Sequence, residues 1–173
     1  MKKILIIITK DEIGGAQMVV LNLAKQLKSH GIEVTVASGQ RSFMTTELEK
    51  EGIATVLLKN LKRTFNPLRA IQAVWEFKKF FDKSTFDAIQ LNSSNTLVAA
   101  LAARMARHKP KVIFTFHGLS YVDPGSDKNW FTKKIFFLAF KILLLFVDEN
   151  VFVCKSNLEE AKKIGLTNIE FCA

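Results

Sequence analysis

Runs of apolar residues alternate with stretches of helical spacing along the whole chain. Lys3–Thr9 (KILIIIT) is a near-continuous β-branched run, the pattern of a strand covered on both faces. From Gly15, apolar residues at Ala16, Val19, Val20, Leu23 and Leu27 fall at helical spacing, and Gly31 marks the helix end. The alternation continues with a strand at Glu33–Ser38, a short helix at Met44–Glu51 and a strand at Ala54–Leu58. Pro67 suits a first helical turn and opens a helix through about Phe81. A strand at Phe86–Leu91 precedes an alanine-rich helix at Thr96–Arg107, capped by Ser94 or Asn95, and Lys111–Phe116 is the fifth strand. Trp130–Phe146 predicts a long fifth helix, followed by strands at Glu149–Cys154 and Asn168–Phe171 around a helix at Asn157–Ile164. Repeated βα units of this length require parallel pairing with right-handed crossovers. The prediction is one α/β domain over residues 1–173: doubly wound, Rossmann-like, with a mostly parallel sheet of about seven strands and helices on both faces.

The segment Ile135–Val147 (IFFLAFKILLLFV) changes the picture. As a helix it is about 20 Å long against roughly 30 Å of hydrocarbon, and Lys141 interrupts it, so it does not span a bilayer. Two readings stay open. A helix apolar nearly all round is a core helix; the same helix, with Trp130, Phe131, Lys133 and Lys134 before it, also suits partial insertion into a membrane surface.

Composition narrows the class. With 173 residues, 49% of them hydrophobic, the chain can bury a real core. Met1-Lys2-Lys3 leads into only six apolar-type residues before Lys10 and Asp11, which is not a signal-peptide pattern. Cys154 and Cys172 fit no CxxC spacing, sit in strand-like apolar runs and are expected as buried thiols of a cytosolic protein rather than a disulfide or metal site. The three histidines are too scattered to suggest zinc. The formal charge of +9 is localised: residues 59–83 carry seven Lys/Arg against two acids, and residues 104–141 eight against two. Such segments suit an anionic partner, whether phospholipid headgroups, nucleic acid or phosphorylated substrates, or form a solvated face that aids solubility. No recognition-helix, zinc or RNP-type pattern supports nucleic acid.

Candidate chemistry concentrates where strands hand over to loops. Of the three histidines, only His117 follows a strand exit (Val-Ile-Phe-Thr-Phe-His-Gly, residues 112–118), and ligands of open α/β sheets bind outside the strands' carboxyl ends. Gly118 beside it and Ser120, Tyr121 and Asp123 beyond it favour a site over a histidine satisfied by backbone. The loop Lys10–Ala16 puts Gly14 and Gly15 before a helix N-terminus, where free N–H groups and the dipole favour an anion; a tight structural turn explains the pair equally well. It is neither the G-x-G-x-x-G fingerprint nor a P-loop, and no acidic residue follows strand two to bind a ribose. After strand four, Asn92 and Ser93 are placed to contact a ligand, with helix capping as the plainer use of Ser94 or Asn95.

Four of these stretches, in order, resemble the amino-terminal half of a GT-B glycosyltransferase of the family-4 kind. Gly14-Gly15-Ala16-Gln17 is similar to that family's GGAE/GGAQ turn. Asp87–Ser94 resembles its D-x-x-H-x-H-S-S stretch, Phe114–Gly118 its F-T-x-H-G stretch, and Asp148–Cys154 the D-x-x-x-x-V-S after its long fifth helix. Gln90 and Asn92 stand in place of both histidines, and Cys154 in place of the serine.

The resemblance implies transfer of a sugar, hexosyl in type, from a nucleotide-diphosphate donor to an acceptor, with retention and without metal or other cofactor. It assigns His117 to the donor sugar as the catalytic residue, and Gly14 and Gly15 to the diphosphate. Asn92, Ser93, Gly118, Tyr121 and Asp123 fall to acceptor or sugar. It implies a second Rossmann-like domain or subunit beyond Ala173, without which this half is inactive. It further implies a lipid-linked or polysaccharide acceptor, and a cytoplasmic protein peripheral to the anionic inner membrane face. The runner-up expectation is a non-enzymatic module holding a nucleotide or phosphorylated ligand.

Overall fold

The structure is a computed structural model that describes residues 1–9, 14–41, 43–61, 67–118, 130–163 and 169–171. Seven strands, β1 (Lys3–Ile8), β2 (Glu33–Ser38), β3 (Ala54–Leu57), β4 (Ala88–Leu91), β5 (Lys111–Phe116), β6 (Glu149–Phe152) and β7 (Ile169–Phe171), form one sheet in the order β3-β2-β1-β4-β5-β6-β7. Every pairing is parallel; Ile6 of β1, for instance, lies between Val36 of β2 and Gln90 of β4. The chain leaves β1 in one direction to build β2 and β3, then returns to lay β4 on the other side. The strand order therefore reverses between β1 and β4.

Alternation along the strands sorts residues between two cores. Ile6, Ile8, Val34 and Val36 face helices α1 (Gly15–Ser29) and α2 (Phe43–Lys50), packing on Val20, Leu21, Ala24, Met44 and Leu48. Leu5, Ile7, Ile89, Leu91, Phe114 and Phe116 face the opposite way. There α3 (Pro67–Lys83), α4 (Val98–Met105), α5 (Trp130–Leu144) and Ala161 of α6 (Lys155–Lys163) complete the larger core. Four alanines of α4, at 99, 100, 102 and 103, are fully buried, which lets α3 and α4 pack closely.

Two aspartates set the starts of the strands. Asp87, just before β4, accepts the N–H of Lys3 on β1 at 2.7 Å. Asp148, just before β6, accepts the N–H of Val112 on β5 at 2.7 Å and holds Arg104 of α4 at 2.7 Å. Partial burial raises the Asp148 pKa, but the Val112 N–H and the Arg104 guanidinium outweigh it and hold the carboxylate below its ordinary range.

Several expectations shift. The alanine-rich helix begins with a 3₁₀ turn at Ser94–Leu97, and its cap position is Ser93 rather than Ser94 or Asn95. β6 ends at Phe152, two residues early, so Cys154 is not a buried thiol: it is exposed, and its carbonyl accepts the first helical bond of α6 from Leu158. Its thiol pKa is lowered by the Ser156 hydroxyl and by the N–H groups of Ser156 and Asn157. Cys172 lies outside the described residues. The fifth helix is not buried all round, for Ile135, Leu138 and Ile142 are about half exposed or more.

At the exit of β2, a Cβ on Gly39 would lie 1.8 Å from the carbonyl oxygen of Leu61 and 2.8 Å from that of Thr9. The two carbonyls are backbone and cannot rotate away. Gly39→Ala is expected to destabilise the domain by about 2–3 kcal/mol, whereas Gly118→Ala, with open space around the new methyl, leaves the denaturation midpoint near wild type. Urea melts of both variants check this.

Candidate functional site

The exits of β1, β4 and β5 lie side by side at the carboxyl edge of the sheet, where its strand order reverses. Thr9, the residue after β1, shares a 2.5 Å hydroxyl–hydroxyl hydrogen bond with Ser93 after β4. The N–H of Asn92 donates to the carbonyl of Ile7 at 2.9 Å, carrying the β1–β4 ladder to the rim.

Two side-chain bonds then link β4 to β5 with the same offset. Gln90 Nε2 donates to Thr115 Oγ1 at 2.8 Å, and one step further out His117 Nε2 lies 3.0 Å from Asn92 Oδ1. Asn92 is only 3% exposed, and its Nδ2 donates to the carbonyls of Ile7 (3.4 Å) and Gln90 (3.5 Å). The amide nitrogen is thereby committed to backbone acceptors, so Oδ1 faces the imidazole. A carboxamide oxygen accepts only; Nε2 must carry the hydrogen, which in the neutral ring leaves the Nδ1 lone pair as an acceptor.

Burial lowers the His117 pKa from its ordinary 6.5, because the half-buried ring is costly to charge. The neutral form therefore prevails at pH 7. Behind it, Phe116 stacks on Phe152 with ring centroids 4.2 Å apart, and Phe114 meets Phe116 edge-on at 4.6 Å. That aromatic cluster fixes the end of β5 and hence the direction in which His117 leaves the sheet.

Across the reversal point, α1 begins at Gly15 with Gly14 extended at its N-cap (φ −170°, ψ 168°). Any residue adopts that backbone, so neither glycine relieves strain. A Cβ on Gly15 would meet nothing within 4 Å, and one on Gly14 would meet only the movable end of Gln17. Their shared property is bareness. No carboxylate sits in the first turn of α1, and Gly14 has no side chain with which to cap it, so within that turn no charge opposes the positive end of the helix dipole.

The structure thus brings Gly14, Gly15, Asn92, Ser93, His117 and Gly118 to one edge, with Gly15 and Gly118 exposed. Asn92 is buried and its amide is occupied by His117 and by backbone. Ser93 is occupied by Thr9 and by the 3₁₀ turn it caps, its N–H lying 3.4 Å from Thr96 Oγ1. Tyr121 and Asp123 lie outside the described residues. Thr9, Gln90 and Thr115 were not anticipated as partners; the polar end of an otherwise aliphatic β1 was the available sign for Thr9. Among the described residues, no group of three or more His, Cys, Asp and Glu is arranged to hold a metal, and no helix is long and apolar enough to cross a membrane.

The family model described as Glycosyltransferase Family 4 matches residues 13–171. Among solved structures, the chain is similar to the Anabaena HepE protein in complex with UDP and glucose (TM-score 0.75, 17% identity, 99% of this chain and 44% of that one). A glycosyltransferase from Rickettsia africae matches with TM-score 0.72 and 22% identity over 98% of this chain and 42% of that one. Sucrose-phosphate synthase from Thermosynechococcus elongatus matches with TM-score 0.72 and 14% identity, over 99% and 47%. At these identities the likeness is one of fold. The chain spans less than half the length of each. No curated protein matches the chain by sequence.

The lowered His117 pKa has a signed consequence for stability. Below pH 6.5 the unfolded chain binds a proton at this histidine before the native state does, so stability rises with pH through that window. The contribution is complete above 6.5, is lost as pH falls, and levels off once the native imidazole is also charged. Urea melts from pH 7.5 downward are expected to show this loss in wild type and a shallower one in His117→Gln.

Proposed function

Because the chain belongs to glycosyltransferase family 4, we propose that it is the acceptor-side domain of a metal-independent, retaining glycosyltransferase acting with a second Rossmann-like domain or subunit. The observation that supports this reading most is His117, neutral and bonded through Nε2 to Asn92, at the same sheet edge as the start of α1, whose first turn carries no carboxylate. The donor is a nucleotide-diphosphate sugar, in keeping with the UDP and glucose of the HepE structure. Its diphosphate lies over Gly14 and Gly15, where a side chain would keep it from the backbone. As the bond between anomeric carbon and diphosphate breaks, charge accumulates on the leaving oxygens, and the α1 N–H groups and dipole are aimed at it. The acceptor hydroxyl oxygen forms the new bond to that carbon, and its proton passes to the departing diphosphate.

His117 Nδ1 accepts a hydrogen bond from a hydroxyl of the donor sugar and fixes the ring over the acceptor. Asn92 acts through His117 as a positioning residue. Ser93 and Gly118 serve the acceptor side, and the resemblance assigns Tyr121 and Asp123 to the same role. The acceptor is lipid-linked or a polysaccharide, and the transferred group is a hexosyl unit. This half alone is inactive. The protein works in the cytoplasm, peripheral to the anionic inner membrane face, an assignment that the basic segments support.

In the complete enzyme with its second domain, His117→Ala is expected to lower turnover by two orders of magnitude or more while the domain stays folded, as its circular dichroism shows. Near-normal turnover would remove His117 from the site. Asn92→Asp tests the positioning role. A carboxylate beside the ring stabilises its charged form and raises its pKa, so the acid limb of the kcat/KM profile should move to higher pH. An unmoved limb would make Asn92 merely structural.

A further inference from the structure

Among the described residues, helix α5 has a second face that the fold leaves bare. Inward, Phe140, Leu143 and Leu144 join the larger core. Outward, Ile135, Leu138 and Ile142, with Leu145 just beyond the helix, are 52%, 60%, 48% and 80% exposed. Steps of three, four and three residues place them along one stripe. Isolated exposed aliphatics are ordinary, whereas four in a row on one helix face mark a contact surface. Trp130–Leu144 contains no acidic residue and three lysines. Lys134 is exposed beside the stripe, and Lys141 reaches over the Phe137 ring with Nζ 5.0 Å from its centroid.

Helix α3 repeats the pattern. Its buried Phe77 and Phe81 enter the same core as α5, with α4 in contact with both helices, so the outer faces of α3 and α5 lie on the same side of the sheet. There Ile71 and Trp75 are 55% and 52% exposed, with exposed Arg69 and Lys79 on the same helix.

We propose that this side of the domain seats on an anionic bilayer, the α5 stripe entering the interfacial region and the lysines meeting headgroup phosphates. The inference rests on the peripheral association proposed above and assigns it a surface. Charge decides the occupant: two copies meeting through α5 bring cations to cations, whereas an anionic bilayer supplies apolar depth and opposite charge together. A second domain facing the His117 edge would meet the ends of the strands, while the stripe runs along the flank. With α5 lying in the interface, the sheet stands about one helix diameter, roughly 10 Å, above the headgroups. The crevice then opens sideways along the membrane, within reach of a lipid-borne acceptor.

The test is co-sedimentation of the whole protein with vesicles of phosphatidylcholine alone or with added phosphatidylglycerol. Wild type should sediment with the anionic vesicles and be released by salt. Leu138→Gln/Ile142→Gln should weaken partitioning by about tenfold or more at an unchanged melting temperature. Leu57→Gln, which removes an exposed leucine on edge strand β3, should bind as wild type. Wild-type partitioning by Leu138→Gln/Ile142→Gln would overturn the proposal. So would a wild type that stays in the supernatant as a dimer which that variant dissociates. Transfer to a water-soluble acceptor, assayed alongside, should be unchanged in the variant. Its absence from wild type would count against the transferase reading and leave the vesicle result to judge the seating surface.

Discussion

The site depends on β1 being held in parallel between β2 and β4. This pairing forces the chain to reverse direction across the sheet, and it aligns the exits of β1, β4 and β5 at one edge. The ladder does not stop at the last strand residue. The Asn92 N–H to Ile7, the Thr9–Ser93 hydroxyl pair and the Gln90–Thr115 bond continue it to the rim, where backbone alone would fray. Asp87 and Asp148 do the corresponding work at the other edge, accepting the first N–H of β1 and the second of β5. A sheet tied at both edges holds His117 with little freedom, and the stacked Phe116 and Phe152 rings close off the opposite face.

The electrostatics divide the labour. Positive potential comes from the start of α1, whose first turn carries no carboxylate. His117 adds none, since burial keeps it neutral. An imidazole in place of Asn92 would bring a second titrating group 3.0 Å from His117. The carboxamide instead locks one tautomer and never titrates. Gln90 is likewise used as a fixed donor to Thr115. Neither carboxamide titrates, so the bonds from β4 to β5 add no ionisable group beside His117.

The regular part of the fold was legible because each strand is a short β-branched or aromatic run and each helix has apolar period and a stop signal. Glu33–Ser38 and Lys111–Phe116 end where their sequences do. His117 was legible for the same reason, as a polar residue at the end of a buried strand. What escaped depends on distant partners. Ser93 takes the cap position while its hydroxyl meets that of Thr9, far away in sequence. Cys154 is exposed because β6 ends at Phe152, where the aromatic cluster ends. Gly39 looks unremarkable beside Ser38 and Gln40, and only the approach of Leu61 reveals that nothing larger fits. Which face of α5 lies exposed was hidden because both of its faces are apolar, so no periodicity separated inside from outside.

The central claim is that Gly15 and His117 face a single donor across the β1–β4 reversal. It is tested most directly by nitrogen-15 NMR of the complete, isotope-labelled enzyme titrated with a nucleotide-diphosphate sugar. The account predicts a protonated Nε2 and an unprotonated Nδ1 at pH 7, with the Nδ1 resonance and the Gly15 amide shifting together at one saturation point. A protonated Nδ1, or a donor that moves the Gly15 amide and leaves the imidazole untouched, would contradict it.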